Sequence, residues 1–216
     1  VLADFSGQAA ALFNNMRMPA AFIAGSLVPL GFVASPKVSP EDGAVVRRVK
    51  LTHYLLATLA ICSELQSIMW ATIAANKLTE ASHAPAAGVM QLLERDYQLE
   101  WIGCNVTFMI GLIGLAACLS TFAFVGFGGA RRVALCFMAA SMSMMVSIIN
   151  TGISKGDGQG FGFGGNFFDL VVLYHRLLMA RALGGHGFFC IASLLLYAAT
   201  AALGVRELLR TGKEHA

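Results

Sequence analysis

Long apolar runs alternate with short polar connections along this chain. Five runs are long enough to cross most or all of a bilayer as helices, at a rise of about 1.5 Å per residue. They cover approximately residues 18–34, 51–75, 101–127, 132–152 and 187–205. This pattern predicts an all-α, polytopic integral membrane helical bundle of about five transmembrane helices, forming a single membrane domain over residues 1–216.

Three other segments carry apolar residues at helical spacing with polar residues between them. They cover approximately residues 2–14, 85–97 and 167–183. We expect short amphipathic helices there, lying at the membrane interface. The third segment contains His175, Arg176 and Arg181 and is too polar for a lipid-exposed crossing, so an interfacial or re-entrant helix is the favoured interpretation. If this segment crossed the membrane, the C-terminal tail would lie on the opposite side of it.

The amino-acid composition limits the classes of partner that the chain can bind. The 216 residues are 57% hydrophobic and 12% charged, whereas a soluble domain is usually about 25% charged. The net charge is only +3 and no basic run is long enough to follow a nucleic-acid backbone. We therefore expect a lipid bilayer and other membrane protein subunits as partners, and no nucleic acid.

The distribution of basic residues predicts an orientation. With five spans, nine of the 15 Lys and Arg residues fall on the side of the C-terminal tail. The positive-inside rule then puts the C-terminus on the stromal, matrix or cytoplasmic side and the N-terminus on the lumenal or outer side. The chain begins at Val1 rather than Met, which suggests a removed targeting segment and an organelle membrane, thylakoid or mitochondrial inner.

Glu64 is the main candidate for chemistry, because it lies near the middle of the second run. A charged side chain at that depth costs about 2.5–3.5 kcal/mol on insertion scales. One hypothesis is a protonated carboxyl that hydrogen-bonds a neighbouring helix and helps to fix assembly; the other is a proton or cation site or a cofactor ligand. Small residues share its helix face and recur at the same spacing on other runs, and we expect helices to touch at these faces. They are Ala57, Ala60, Ser67, Ala71 and Ala74 on the second run, and Gly103, Thr107, Gly111 and Gly114 on the third.

Candidate cofactor ligands are His53, Glu64, Asn105, His175 and His186. A single His suffices as the axial ligand of a chlorophyll magnesium, so chlorophyll, carotenoid and lipid are the expected bound ligands. Haem with two His ligands is not expected, because His53 lies at a different membrane depth from both His175 and His186. For His175 and His186 to bind one haem, the chain would have to fold back sharply at Gly184–Gly185. The alternative for each His is a hydrogen-bonding role at the interface.

Two partial motifs fail on inspection. Glu100 and Asn105 match part of the pigment-binding pattern of chlorophyll a/b light-harvesting proteins, but Thr107 stands where that pattern has Arg, so the chain is not assigned to that family. Gly160, Gly162 and Gly165 fit GxGxxG without the strand and helix that a nucleotide site needs. No nucleotide, resident metal or catalytic activity is expected.

Two functional classes follow. The first is a non-catalytic integral membrane subunit of a larger energy-converting complex, of photosystem or respiratory type, which stabilises assembly and holds pigment or lipid. The alternative is a proton or cation channel, or small transporter, that uses Glu64 at the midplane.

Overall fold

The structure is a computed structural model, and it describes residues 2–35, 37–126, 131–153, 166–186 and 188–213. Within these ranges the chain forms seven α-helices and an isolated antiparallel bridge between Ala3 and Ala86. The helices are α1 (Ser6–Val28), α2 (Ala44–Glu80), α3 (Val89–Asp96), α4 (Gln98–Gly126), α5 (Arg131–Ile153), α6 (Phe167–Arg181) and α7 (Phe188–Lys213). One π-helical turn, Pro29–Val33, extends α1 and another, Ala182–His186, extends α6. The all-α prediction is confirmed.

Three of the described helical segments are long and apolar enough to cross a membrane. They are Ser6–Val33, Ala44–Glu80 and Gln98–Gly126. Helices α5 and α7 contain shorter apolar stretches, Met138–Ile148 and Ile191–Arg206. The coarse architecture is therefore a helical membrane protein with three candidate spans.

The N-terminal region differs from its prediction. We expected an interfacial helix over 2–14 and a separate span over 18–34, but α1 runs without a break from Ser6 to Val28. Its first half stands against the other helices, since Phe13 is fully buried, and Pro19 lies inside it. Apolar residues at helical spacing occur both in a helix on a membrane surface and in a helix packed against others, so the pattern did not show that the two segments form one helix. The other two amphipathic helices are present with narrower bounds, as α3 and α6.

Helices α2 and α4 form an antiparallel pair in close contact. Three contacts with glycines fix their register: Ala60 with Gly114, Glu64 with Gly111, and Trp70 with Gly103. The predicted contact between small-residue faces is confirmed by these pairs. Helix α1 packs beside them, burying Ile23 and Leu27 against Ala57 and Ala60.

The later helices cover this core from outside. Helix α5 meets the second half of α4, where Ser120 Oγ donates to Met142 Sδ at 3.8 Å. Helix α6 covers the first half of α4, packing Leu170 among Val106 and Met109. Helix α7 runs antiparallel to α2, since Tyr197 contacts Gln66 and Leu55 lies beside Gly204. The end of α7 therefore lies at the same end of the bundle as the start of α2.

The core of the described residues has three clusters. One of them packs α6 on the first half of α4, as described above, and we call the other two the end cap and the stem. The end cap joins the first half of α1, the last turns of α2, the helix α3 and the start of α4. Its buried members are Ala9, Ala10, Phe13, Ala71, Ala74, Ala75, Leu78, Ala86, Leu92, Leu93, Tyr97, Trp101 and Cys104. The stem lies nearer the other end and buries Ile23, Leu27, Ala57, Ala60 and Cys118.

Candidate functional site

Glu64 lies near the middle of α2 and points at α4. Its side chain is 0% exposed, and its carboxyl group occupies the space that a Cβ atom on Gly111 would need. Helix α4 can pass this carboxyl only because residue 111 has no side chain. The small-residue face thus brings the two helices together and seals the acid between them.

The Glu64 carboxyl has no hydrogen-bond partner in the described part of the chain, on either oxygen, so the expected hydrogen bond to a neighbouring helix is not found there. Nearby hydroxyl groups on the interface bond backbone carbonyls instead: Ser67 Oγ donates to Cys104 O at 3.0 Å, and Thr107 Oγ1 donates to Gly103 O at 2.7 Å. Burying an ionised carboxylate without a partner is very costly, whereas the neutral acid costs far less. The site therefore suits a neutral carboxyl group held by packing.

His53 is buried and both of its ring nitrogens have partners. Its Nδ1 lies 2.8 Å from Thr121 Oγ1 and its Nε2 lies 3.2 Å from Leu30 O. The carbonyl of Leu30 is open because the π-helical turn sends Ala34 N to Pro29 O, at 2.7 Å, instead. His53 thereby ties α2 to α4 and to the end of α1. A metal ligand role would require one of these two contacts to break.

The remaining predicted ligands do not join Glu64 and His53 in one site. Asn105 is buried, its Nδ2 donates to Trp101 O at 2.8 Å, and its Oδ1 has no partner among the described residues. His175 is exposed on α6 with Nδ1 donating to Val171 O at 2.7 Å. His186 ends the second π-helical turn, and its side chain lies outside the described residues. The four candidates whose side chains are described occupy separate places in the fold.

A groove between α2, α6 and α7 was not predicted from the sequence. Its volume is about 570 Å³, and Trp70, Tyr174 and Arg181 contribute polar groups to it. Trp70 Nε1 donates to Tyr174 Oη at 3.3 Å, and Gln66 Nε2 donates to Tyr197 Oη. Gln66, a polar residue inside an apolar run, was the signal that could have indicated this surface.

Charged side chains concentrate at the two ends of the bundle. Beside the end cap, Glu100 Oε1 accepts from Lys77 Nζ at 3.2 Å and lies 3.7 Å from Arg181 Nη1. At the start of α2, Lys50 Nζ lies 2.7 Å from Asp42 and donates to Lys37 O at 2.8 Å. Hydrogen bonding from Lys50 holds the pKa of the Asp42 carboxyl below its ordinary value.

No protein family model, curated protein or solved structure matches this chain. Among the described residues, no group of three His, Cys, Asp or Glu side chains is placed to hold a metal ion. Function therefore has to be argued from the geometry of the chain itself.

Proposed function

We propose that this chain is a non-catalytic integral membrane subunit of a larger energy-converting complex, of photosystem or respiratory type. In this proposal α1, α2, α4, α5 and α7 cross the membrane, and α6 covers α4 without crossing. The N-terminus faces the lumenal or outer side and the C-terminus the stromal, matrix or cytoplasmic side. The host membrane is the thylakoid or the mitochondrial inner membrane.

The burial of Glu64 is the observation that favours a structural subunit over a channel. A conducting carboxyl must exchange protons or ions with water on both sides of the membrane. Glu64 is fully buried within one chain, against the backbone of Gly111, with no hydrogen-bonding partner in the described residues. This supports a role in fitting α2 to α4.

The outer helices support the five-span arrangement. Both α5 and α7 present large apolar side chains outward, as lipid or an apolar neighbouring subunit would require. Exposed examples are Val133, Met144 and Ile148 on α5, and Leu195, Leu196 and Leu203 on α7. The antiparallel packing of α7 on α2 also brings the basic tail to the end that holds Lys50, which favours the proposed orientation.

Among the predicted pigment ligands whose side chains the structure describes, His175 is the best placed. Its ring is exposed, and its Nδ1 bonds the carbonyl of Val171. Histidines that bind metals usually donate their other nitrogen to such an acceptor. His53 has both nitrogens engaged inside the bundle, so a bound chlorophyll or carotenoid would lie on the outer surface.

Purification from native membranes in a mild detergent tests this proposal. We expect the chain to migrate with unlike membrane subunits in equal copy number, and the complex to show chlorophyll or carotenoid absorbance if it is of the photosystem type. Isolation as a free chain, or as a ring of identical copies, would contradict the proposal.

The alternative, a channel that uses Glu64, has a direct test in liposomes. We expect proton flux through the reconstituted chain to match that of empty liposomes and to be unaffected by Glu64→Gln. Glu80→Gln is the matched control, because Glu80 is an exposed carboxyl at the end of the same helix. A flux that Glu64→Gln abolishes and Glu80→Gln preserves would replace the subunit by the channel.

A further inference from the structure

The groove between α2, α6 and α7 has the dimensions of a small-molecule site. We call it the lateral groove, and its lining includes Leu65, Met69, Trp70, Tyr174, Leu178 and Arg181. Its volume of about 570 Å³ falls within the range of about 300–1,000 Å³ that is usual for ligand pockets. Its lining residues Leu65, Met69 and Ile73 are exposed, so in the proposed membrane arrangement its contents would enter from the lipid.

The lining is apolar along its length and polar at defined points. Leu65 and Met69 are exposed on α2, and they line the groove together with Leu178 of α6. Trp70 and Tyr174 bond one another at 3.3 Å and present their rings to the space. An occupant with a long apolar chain satisfies this lining better than a polar solute does.

The groove ends at an excess of positive charge. Arg181 and Lys77 share a single carboxylate, Glu100, at 3.7 and 3.2 Å, which leaves a net charge of +1 for the three groups. The side chains of Arg181 and Lys77 are half exposed, whereas that of Glu100 is buried. A guanidinium carries five donors and matches phosphate oxygens in geometry. This end of the groove therefore favours an anionic headgroup.

We infer that the lateral groove binds a membrane lipid with an anionic headgroup, whose acyl chain follows Leu65, Met69 and Leu178 while Arg181 holds the headgroup. Basic pockets between transmembrane helices bind anionic headgroups on the matrix or cytoplasmic side. Arg181 lies near the end cap, which the proposed orientation puts on the opposite side, so the inference rests on the local charge and not on a leaflet rich in anionic lipid. The inference rests on one part of the proposed function, that α7 crosses the membrane, and is independent of membership in any complex.

Trp70 makes the site measurable, because the chain has two tryptophans and the other, Trp101, is buried in the end cap. In a Trp101→Phe background, Trp70 fluorescence reports contact with lipids whose acyl chains are brominated. The protein is placed in phosphatidylcholine vesicles containing a small fraction of brominated phosphatidylglycerol or brominated phosphatidylcholine. We expect phosphatidylglycerol to reach half-maximal quenching at a roughly fivefold lower fraction, the ratio that corresponds to about 1 kcal/mol per basic residue.

Two variants assign the preference to one side chain. Arg181→Gln should bring the fivefold ratio close to one, whereas Arg176→Gln should preserve it, because Arg176 is exposed on the same helix outside the lateral groove. Equal quenching by both lipids in the unmodified chain, or equal losses in the two variants, would overturn the inference. So would complete reversal by inorganic phosphate, since the site would then bind a free anion rather than a lipid.

A second measurement needs no change at Trp101. Native mass spectrometry of the full chain released from mixed vesicles should show retained phosphatidylglycerol over phosphatidylcholine, and Arg181→Gln should remove that excess. If neither brominated lipid quenches Trp70 and neither lipid is retained, α7 does not enclose a membrane groove and the five-span architecture fails with the inference. If lipid is retained but no partner subunit copurifies, only the proposed function fails.

Discussion

The end cap and the stem are built by different means, although α1, α2 and α4 pass through both. The end cap buries large side chains such as Phe13, Leu92, Leu93 and Trp101. The stem fits Ala60 against Gly114, and its neighbouring contact pairs Gly31 with Ala57. A Cβ added to Gly31 would lie 2.5 Å from Ala57 Cβ, and one added to Gly114 would lie 2.7 Å from Ala60 Cβ.

In the proposed membrane arrangement, the difference follows from the solvent each part would meet: water near the end cap and lipid around the stem. In water, burial of apolar side chains stabilises the folded state by about 25 cal/mol for each Å² of apolar surface removed from solvent. Lipid tails are themselves apolar and supply no hydrophobic driving force, so helices in a membrane associate through close backbone contact and dispersion. The end cap thus packs like a soluble domain, and the stem packs like a membrane bundle. Variants in each part should therefore fail for opposite reasons.

The largest effect is expected when the end cap loses volume. Phe13 is fully buried and meets Trp101 edge to face, with ring centroids 5.4 Å apart. Phe13→Ala should lower the free energy of unfolding by about 3–5 kcal/mol, the usual cost of removing a buried aromatic ring. Unfolding in detergent, followed by Trp fluorescence, measures the change. Phe22→Ala on the same helix is the control, because Phe22 is 77% exposed, and an equal loss in both variants would refute the two-part description.

A smaller loss is expected when the close contact between α2 and α4, next to the stem, gains volume. Gly111→Ala places a methyl group on the Glu64 carboxyl and should cost about 1–3 kcal/mol, as overpacking does. The matched control is Gly25→Ala on α1, because nothing lies within 4 Å of a Cβ added there. Thermal unfolding in detergent micelles compares the two variants.

A double variant then tests the cause of that loss. Adding Glu64→Ala to Gly111→Ala removes the clashing group, so the pair should be more stable than Gly111→Ala alone. If the two losses simply add, the carboxyl is not what excludes a side chain at residue 111.

The smallest effect concerns pH at the end opposite the cap. Lys50 bonds Asp42 and holds the pKa of that carboxyl below its ordinary value. The resulting stability is therefore present above the ordinary Asp pKa and is lost as pH falls through the lowered value. Asp42→Asn should remove this acid-dependent part of the stability, as measured by thermal unfolding between pH 6 and about pH 3. Glu41→Gln is the control, since Glu41 is exposed beside it; an unchanged acid profile in Asp42→Asn would show that the ion pair adds nothing.

More of the packing in and beside the stem than of the packing in the end cap could be predicted from the sequence. Small residues at helical spacing identify a close contact on their own, and Gly111 and Gly114 do meet the face that carries Glu64. The end cap depends on α3 and on the bridge between Ala3 and Ala86, which are contacts between distant parts of the chain. Local periodicity cannot show that such contacts hold the first half of α1 against α2, α3 and α4.

The candidate site shows the same limit. Glu64 was recognisable from its depth alone, and its burial at a helix contact agrees with the prediction. His53 looked equally suited to a cofactor, but its partner Leu30 O is open only because of the π-helical turn after Pro29. The lateral groove required the docking of α6 and α7 on α2, which no local pattern specifies.

The fit of Glu64 to Gly111 has an evolutionary consequence. Because the acid fills the space where a Cβ atom would stand, the two positions should change together among related chains. Relatives that retain the acid should keep glycine opposite it, and those that replace the acid with alanine or serine are the ones free to acquire a methyl group there.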